Sequence, residues 1–378
     1  MKKISRKVFI LAAISYGLKL FVALVLQKMV YGGFYLDGDM NRYFMEGMNH
    51  YSDISNHFFS YIADFFLRPV FGTYFMVRLS GLIFYVLGPT MEAGAAFCVF
   101  ASSVGSYFFF LSFHQAFPKS NYLLFARLLF LWPSLLFWNS LLLKDPLLYS
   151  GLGFATFGLF IFLRGNRYRG GALFALGVTL GFMLKPHVML FFILVVPLLI
   201  VTRKKKQGGL PLFLKVFFVV LTVFLGIFAY EFLSAHYVKE DVSLAESMAN
   251  IQSNMAYGGS ALQMKQVTSV GDIVYVPYNV MTVIFRPFIF EAHNAMALFS
   301  ALEGSVLMMY AFHWFSKRRR SKNKKEDSAF LMFCIIYVLF SALAWSCVMG
   351  NMGTIVRQRI HLLPMLFMII ASGKMRRV

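Results

Sequence analysis

Long apolar runs alternate with short basic stretches along this chain. The runs have roughly the 17–25 residues that an α-helix needs to cross a hydrocarbon core about 30 Å thick. The first run covers residues 8–31 and follows Lys2, Lys3, Arg6 and Lys7. It is longer than the apolar core of a signal peptide and lacks a small-x-small cleavage site, so we interpret it as a retained helix. The pattern predicts an all-α polytopic membrane protein.

The basic stretches predict how these runs are oriented. Lys and Arg gather on the cytoplasmic side of membrane proteins. Such clusters lie at both termini and at residues 164–169, 203–206 and 317–325. With all of them inside, a single transmembrane domain has about ten crossings and two long outer loops, 32–90 and 236–292. Single spans are predicted at 8–31, 91–117, 121–143, 146–163, 211–235, 293–315, 329–349 and 360–372.

Two further apolar stretches need special treatment. Run 172–201 is interrupted by Lys185-Pro186, and proline and charge both disfavour a continuous span. We predict two short spans there that meet at an outer turn. The stretch 70–87 is surplus, because a full crossing there would export the basic cluster at 164–169. We predict an interfacial or re-entrant element for it, as an outer-face juxtamembrane segment.

Composition supports the membrane class, and it does not indicate a nucleic-acid-binding protein or a metal-binding protein. Residues are 59% hydrophobic and 14% charged, whereas soluble domains are about 45–50% apolar. The net charge of +20 does not indicate nucleic-acid binding, because most of the basic residues lie in short loops between spans. Neither the three cysteines nor the His50–His57 region has the spacing of a metal site, so none is expected.

The cations left on the predicted outer side need an explanation. Several end a span beside a proline, where they could snorkel to the interface. Drawn from at least five turns, they could instead converge on one anionic ligand, and Arg binds phosphate bidentately. The predicted substrate- and phosphate-binding set is Arg42, Tyr43, Arg68, Lys144, Lys185, His187, Arg286, Glu291, Arg357 and Arg359.

Some members of this set have a second interpretation. Arg286 and Glu291 flank a short apolar stretch, so they form either a structural ion pair or a phosphate contact. Arg357 and Arg359 are two positions apart and would point to different faces of a helix, so one could bind ligand while the other pairs with an acid. His187 lies at a span end, where interface residues are common.

Carboxylates lie at the same predicted level and are densest in YLDGDMNRYFMEG, residues 35–47. Asp39 is the first candidate for a base that takes a proton from an incoming hydroxyl, and Asp37 and Asp145 are the others. Asp39 and Asp145 are alternatively helix N-caps, because D-x-x-R is common at helix starts and Pro146 suits a first helical turn.

The stretch Asp39-Met40-Asn41-Arg42-Tyr43 resembles the D-E-x-R-Y motif in the first outer loop of GT-C integral-membrane glycosyltransferases that use lipid-linked donors. Met40 stands where the second acid is usual. The segments VFGTYFMVRLSGLIFYVLGP, FLWPSLLFWNSLLLKDP and RQRIHLLPMLFMII are similar to the juxtamembrane segment, the second outer turn and the Arg-rich start of a late span in that superfamily.

The resemblance implies an inverting glycosyltransferase of the bacterial cytoplasmic membrane with its active site on the outer face. Its donor would be a saccharide on a polyprenyl phosphate or pyrophosphate, and its acceptor a saccharide or lipid of the cell envelope or an exopolysaccharide. Arg and Lys would stabilise the leaving phosphate, so no cofactor is obligatory, although a divalent cation is compatible.

Other functions fit the same pattern in part. Wzy- and EpsG-type polysaccharide polymerases also pair outer-loop arginines with a polytopic architecture and lipid-linked substrates. The apolar pattern up to the last residues also leads us to expect no larger soluble C-terminal domain of the kind that many GT-C enzymes have. A transporter would need mid-span charges and inverted repeats, of which the sequence shows little. A non-catalytic subunit working with other polysaccharide-assembly proteins would need no convergent cations and acids.

Overall fold

A computed structural model describes residues 4–26, 38–202, 244–318 and 328–373, apart from 257–259, 263 and 266–269, together with scattered residues of 212–231. These residues fold into helices, and no β-strand occurs among them. Contacts divide the chain into two compact units. Unit 1 consists of Met1–Gln115 and Tyr122–Met189, and unit 2 of Ala116–Asn121 and Leu190–Val378.

The first half of the chain contains eight of the described α-helices, in the order in which they follow one another. They are α1 (Arg6–Phe21), which continues as a π-helical turn (Val22–Leu26), α2 (Asp39–Leu67), α3 (Thr73–Leu87), α4 (Met91–Ala116), α5 (Tyr122–Leu131), α6 (Pro133–Trp138), α7 (Lys144–Leu163) and α8 (Arg167–Leu184).

The second half contains the remaining described helices and two 3-10 turns, at Val270–Tyr275 and Ile289–Glu291. The helices are α9 (Pro186–Thr202), α10 (Leu244–Met255), α11 (Val276–Phe285), α12 (Ala295–Arg318), α13 (Ser328–Ser346), α14 (Met352–Arg359) and α15 (Leu363–Ser372).

Five helical segments in the described part are long and apolar enough to cross a membrane: Arg6–Leu26, Met91–Ala116, Lys144–Leu163, Ala295–Ser316 and Ala329–Ser346. The pair α14 and α15, bent by 60°, raises the number to six if it forms one broken span. These segments have the length and composition of a multi-pass membrane protein. Ten crossings stay a prediction, and the predicted span at 211–235 falls largely outside the described residues.

The breaks in two predicted runs are visible. Lys185 separates α8 from α9, which confirms two helices in 172–201. A single helix over 121–143 is wrong. Trp132 has extended backbone angles (φ −71°, ψ 125°) before Pro133, because a residue preceding proline avoids the α region. The surplus stretch at 70–87 forms α3, which has 15 residues and is too short for an ordinary span.

Helix α2 reverses direction at His57, whose backbone is non-helical (φ −140°, ψ 49°). In the first arm, Arg42 faces the ring of Tyr74, and the backbone at His50 packs on Gly81. Later residues of the first arm therefore contact later residues of α3. This means that the first arm and α3 run in the same direction.

The second arm of α2 returns along α3 in the opposite direction. Phe58 packs on Tyr85 with ring centroids 5.5 Å apart, and Phe65 packs on Phe75 at 5.8 Å. The two arms of α2 and helix α3 thus form one packed group. Both ends of α2 and the N-terminus of α3 lie at the same end of that group.

Helices α7 and α8 approach each other closely along a row of glycines. A Cβ atom on Gly151 would lie 2.9 Å from the carbonyl oxygen of Gly177, and one on Gly158 would meet the backbone of Phe174. Only glycine allows backbones to come this near, as in many helix pairs within membranes. The contact holds the start of α7 beside the end of α8.

Candidate functional site

Several helix ends meet in unit 1 around Lys144, the first residue of α7. Its Nζ lies 3.2 Å from Thr73 Oγ1 at the start of α3, and 6.0 Å from the ring centre of Tyr43 in the first turns of α2. The N–H of Gly72, just before α3, donates to the carbonyl of Met183 near the end of α8 at 2.7 Å. The N-termini of α2, α3 and α7 therefore converge near the break between α8 and α9.

A buried ion pair occupies this convergence. Lys185 Nζ donates to Asp145 Oδ1 at 2.6 Å, with side-chain exposures of 7% and 0%. Asp145 lies in the first turn of α7, where the helix dipole favours a carboxylate. The N-cap position belongs to Leu143, so the alternative prediction that Asp145 is an N-cap is wrong. The Asp145 carboxylate therefore holds the Lys185 ammonium in place.

We call Tyr43, Thr73, Lys144, Asp145 and Lys185 the unit 1 cluster. It contains two ammonium groups and one carboxylate. The N-terminal ends of helices add partial positive charge and N–H donors around it. Such a combination suits an anion, and phosphate in particular.

Asp39 lies at the edge of the unit 1 cluster. It is exposed and is the first residue of α2, one helical turn before Tyr43. Gly38 occupies the N-cap position, so the alternative prediction of Asp39 as an N-cap is wrong. Arg42 forms an exposed ion pair with Glu46, with Nε 2.6 Å from Oε1. Asp37 lies outside the described residues.

Arg68 ends α2 at the same end of the assembly. Its exposed side chain pairs with Asp64, with Nε 3.3 Å from Oδ1. Arg78 of α3, which was not predicted as a site residue, is buried and donates to Asp64 Oδ2 at 2.7 Å and to the carbonyl of Arg68 at 2.9 Å. Arg78 therefore ties the second arm of α2 to α3.

In unit 2, Arg286 and Glu291 form the structural ion pair that was one of two interpretations. Arg286 Nε donates to Glu291 Oε2 at 3.0 Å, Nη2 donates to Oε1, and Nη1 donates to the hydroxyl of Tyr278 at 3.0 Å. The N–H of Phe288 adds a 2.8 Å hydrogen bond to Glu291. Partial burial disfavours the charged carboxyl, but these hydrogen bonds outweigh it and hold the pKa of Glu291 below its usual value.

The two late arginines have different surroundings, in agreement with the prediction that they face different ways. Arg359 is buried and donates to the carbonyls of Ile284 and Arg286, both at 2.8 Å. These two bonds attach Arg359 to the backbone at the end of α11, and neither of them involves an acidic residue. Arg357 and His187 are partly exposed, at α14 and at the start of α9.

The structure therefore gathers one part of the predicted set. Tyr43, Lys144, Asp145 and Lys185 come together, with Asp39 nearby, while Arg286 and Arg359 of unit 2 stabilise local structure. Thr73 was missed, because its contact with Lys144 depends on how α3 packs against α7 and α8, which no short motif predicts.

The comparisons with known proteins add no functional assignment. No model of a known protein family, no curated protein sequence and no solved structure matches this chain. A function for the unit 1 cluster must be argued from its chemistry.

Proposed function

We propose that the chain is a membrane glycosyltransferase of bacterial envelope or exopolysaccharide assembly. It would use a saccharide on a polyprenyl phosphate or pyrophosphate at the outer face of the cytoplasmic membrane. The observation that supports this most directly is the convergence of Lys144 and Lys185 with several helix N-termini. A lipid-linked donor has an anionic phosphate as its leaving group, and this arrangement favours negative charge.

The proposed step is a single displacement at the anomeric carbon. The acceptor hydroxyl oxygen forms the new bond, Asp39 takes the hydroxyl proton, and the bond to the phosphate oxygen breaks with its electron pair. Attack from the side opposite the leaving group inverts the anomeric centre. Asp39 suits the role of base because it is exposed and lies one turn from Tyr43 of the unit 1 cluster.

The lysines would act on the charge that develops on the leaving phosphate. Fixed positive groups in a partly buried site stabilise such charge without reorganisation. Asp145 orients Lys185 through their 2.6 Å contact, which makes Asp145 a positioning residue in this scheme.

The test is transfer by the purified full chain in lipid nanodiscs, supplied with polyprenyl-linked saccharide donors and envelope saccharides. Asp39→Asn is expected to lower kcat by about 10²–10⁴-fold, the usual contribution of a general base. Lys144→Met and Lys185→Met are expected to lower kcat by about 10²–10³-fold, as for other charge-stabilising groups. The control is Arg169→Gln, an exposed residue outside the cluster.

Full activity of the Asp39→Asn variant would remove Asp39 as the base but leave the lysines in place. Full activity of both lysine variants would remove the unit 1 cluster as the reaction site.

A polymerase carries out the same displacement with a second lipid-linked saccharide as acceptor. A ladder of products from lipid-linked repeat units alone would assign the chain to that class.

A further inference from the structure

Unit 1 contains a second polar group, away from the unit 1 cluster, that the proposed reaction does not use. Lys19 lies within the candidate span Arg6–Leu26 and is 2% exposed. Its Nζ donates to Ser102 Oγ of α4 at 3.1 Å. No carboxylate in the described parts of the chain forms an ion pair with it. An ammonium inside a span is costly unless something compensates its charge, so such residues usually mark a functional site.

The side chain of Asn139 adds a second uncompensated group. It follows α6, is fully buried, and neither Nδ2 nor Oδ1 has a hydrogen-bond partner among the described residues. Its backbone carbonyl accepts from Ser102 Oγ at 3.0 Å. The Ser102 hydroxyl therefore lies between Lys19 and Asn139. Buried amide groups are almost always hydrogen-bonded, so two orphaned atoms on one side chain need an explanation.

We infer that Lys19, Ser102 and Asn139 form a binding site for a phosphate group. Lys19 has two further N–H donors and the Asn139 amide has two, which suit the oxygens of an oxyanion. The side-chain oxygen Oδ1 of Asn139 accepts a hydrogen bond from a hydroxyl, and a singly ionised phosphate monoester carries a hydroxyl. The negative charge of a phosphate would thus compensate the Lys19 ammonium, and its oxygens and hydroxyl would form hydrogen bonds with the Asn139 side chain.

This site shares no residue with the unit 1 cluster and lies about one turn of α4 away from it. Cys98 Sγ lies 4.0 Å from the carbonyl of Leu143, the residue before Lys144. Ser102 is one turn further along α4, which corresponds to about 6 Å. Residues 139–143 therefore lie along the face of α4 that carries Ser102 and Cys98, and they end beside the unit 1 cluster.

The backbone next to Lys19 is also unusual. The π-helical turn Val22–Leu26 begins three residues later, and such distortions are frequent at functional sites. Ala23 of this turn packs on Ala95 and Val99 of α4. The distortion therefore lies where α1 is held against α4, the helix that supplies Ser102.

The phosphate could belong to a polyprenyl phosphate or be the free inorganic ion, and thermal unfolding of the purified full chain in detergent distinguishes them. We expect Tm to rise by several degrees with polyprenyl monophosphate, with inorganic phosphate, or with both, relative to sodium chloride of equal ionic strength. Lys19→Met and Asn139→Leu should each lower the shift, and combining Lys19→Met with Lys144→Met should abolish it, because the unit 1 cluster is itself proposed to bind a polyprenyl-linked phosphate. Lys7→Met, an exposed lysine of the same helix, should retain it.

Folding of the variant is not expected to obscure the result. Replacing an uncompensated buried charge by an apolar side chain of similar size is usually neutral or stabilising, so Lys19→Met should have a phosphate-free Tm at or above that of the wild type. An equal shift in Lys19→Met and wild type would overturn the inference, as would no shift in the wild type. A shift lost in Lys144→Met but kept in Lys19→Met would place the phosphate in the unit 1 cluster and would also overturn it. None of these outcomes depends on glycosyl transfer.

Discussion

At the scale of single residues, several buried or partly buried charges among the described residues differ in how they are compensated. Asp145 with Lys185, and Arg286 with Glu291, compensate each other directly. Lys19 donates to a hydroxyl and has no ion pair among the described residues, whereas Arg359 donates to backbone carbonyls and also interacts electrostatically with Glu303. Removing one member of a compensated pair leaves a buried charge, whereas removing an uncompensated charge does not.

The Asp145–Lys185 pair gives the clearest prediction of this kind. Asp145→Asn should lower the free energy of unfolding by about 3–5 kcal/mol, because it leaves Lys185 buried without a counter-charge. The double variant with Lys185→Met should recover part of that loss. Denaturant unfolding in detergent measures both. Equal losses in the single and double variants would mean that the pair is not coupled.

The Arg286–Glu291 pair predicts a dependence on pH. The pKa of Glu291 is lower in the folded chain than its ordinary value of 4.5, so the pair stabilises the fold above about pH 4.5. That contribution disappears as the pH falls through the folded pKa. Glu291→Gln should lose about 1.5–3 kcal/mol at pH 7 and show less loss on acidification.

The matched control for Glu291 is Glu46→Gln, since Glu46 forms an exposed pair with Arg42 within α2. Its effect on stability should be much smaller than that of Glu291→Gln, because exposed ion pairs contribute little. Tm recorded from pH 7 down to pH 3.5 compares the two variants. If both had the same pH profile, the partly buried pair would contribute no more than the exposed one.

At the scale of helices, breaks at proline were partly predictable. The interruption at Lys185-Pro186 combines a charge with a proline, and the helix breaks there. The break at Pro133 was not predicted, because no charge accompanies this proline within the long apolar run. The reversal at His57 has no glycine or proline beside it, so only tertiary packing against α3 explains it. Lys144, Asp145 and Lys185 could be predicted as site residues because they are charges beside prolines at span ends, whereas Thr73 has no such signal and meets Lys144 only through tertiary packing.

The glycine contact between α7 and α8 can be tested by adding a single methyl group. Gly158→Ala places a Cβ against the backbone of Phe174, which cannot rotate away as a side chain would. We expect a loss of about 1–3 kcal/mol in the free energy of unfolding, typical of overpacking. Gly171→Ala in α8 is the control, because its Cβ would make only one ordinary contact, 3.9 Å from Phe162. Equal stability of the two variants would contradict close packing of the α7 and α8 backbones at Gly158.

At the scale of the whole molecule, the prediction that remains is the orientation in the membrane. Charge distribution predicts that residue 90 faces outward and residue 168 faces the cytoplasm. Both are exposed in the structure. In intact cells a membrane-impermeant maleimide should label Thr90→Cys, and it should label Tyr168→Cys only after permeabilisation. The reverse pattern would invert the threading and move the unit 1 cluster to the cytoplasmic side.

The row of glycines also bears on the order in which the protein assembles. Only residues 164–166 separate α7 from α8, so their contact forms between neighbours in sequence. Contacts of this kind form quickly, because little chain entropy is lost in closing so short a connection. The pair is therefore expected to associate during synthesis, before α9 has left the ribosome. It then serves as a completed hairpin against which the start of α3 is placed.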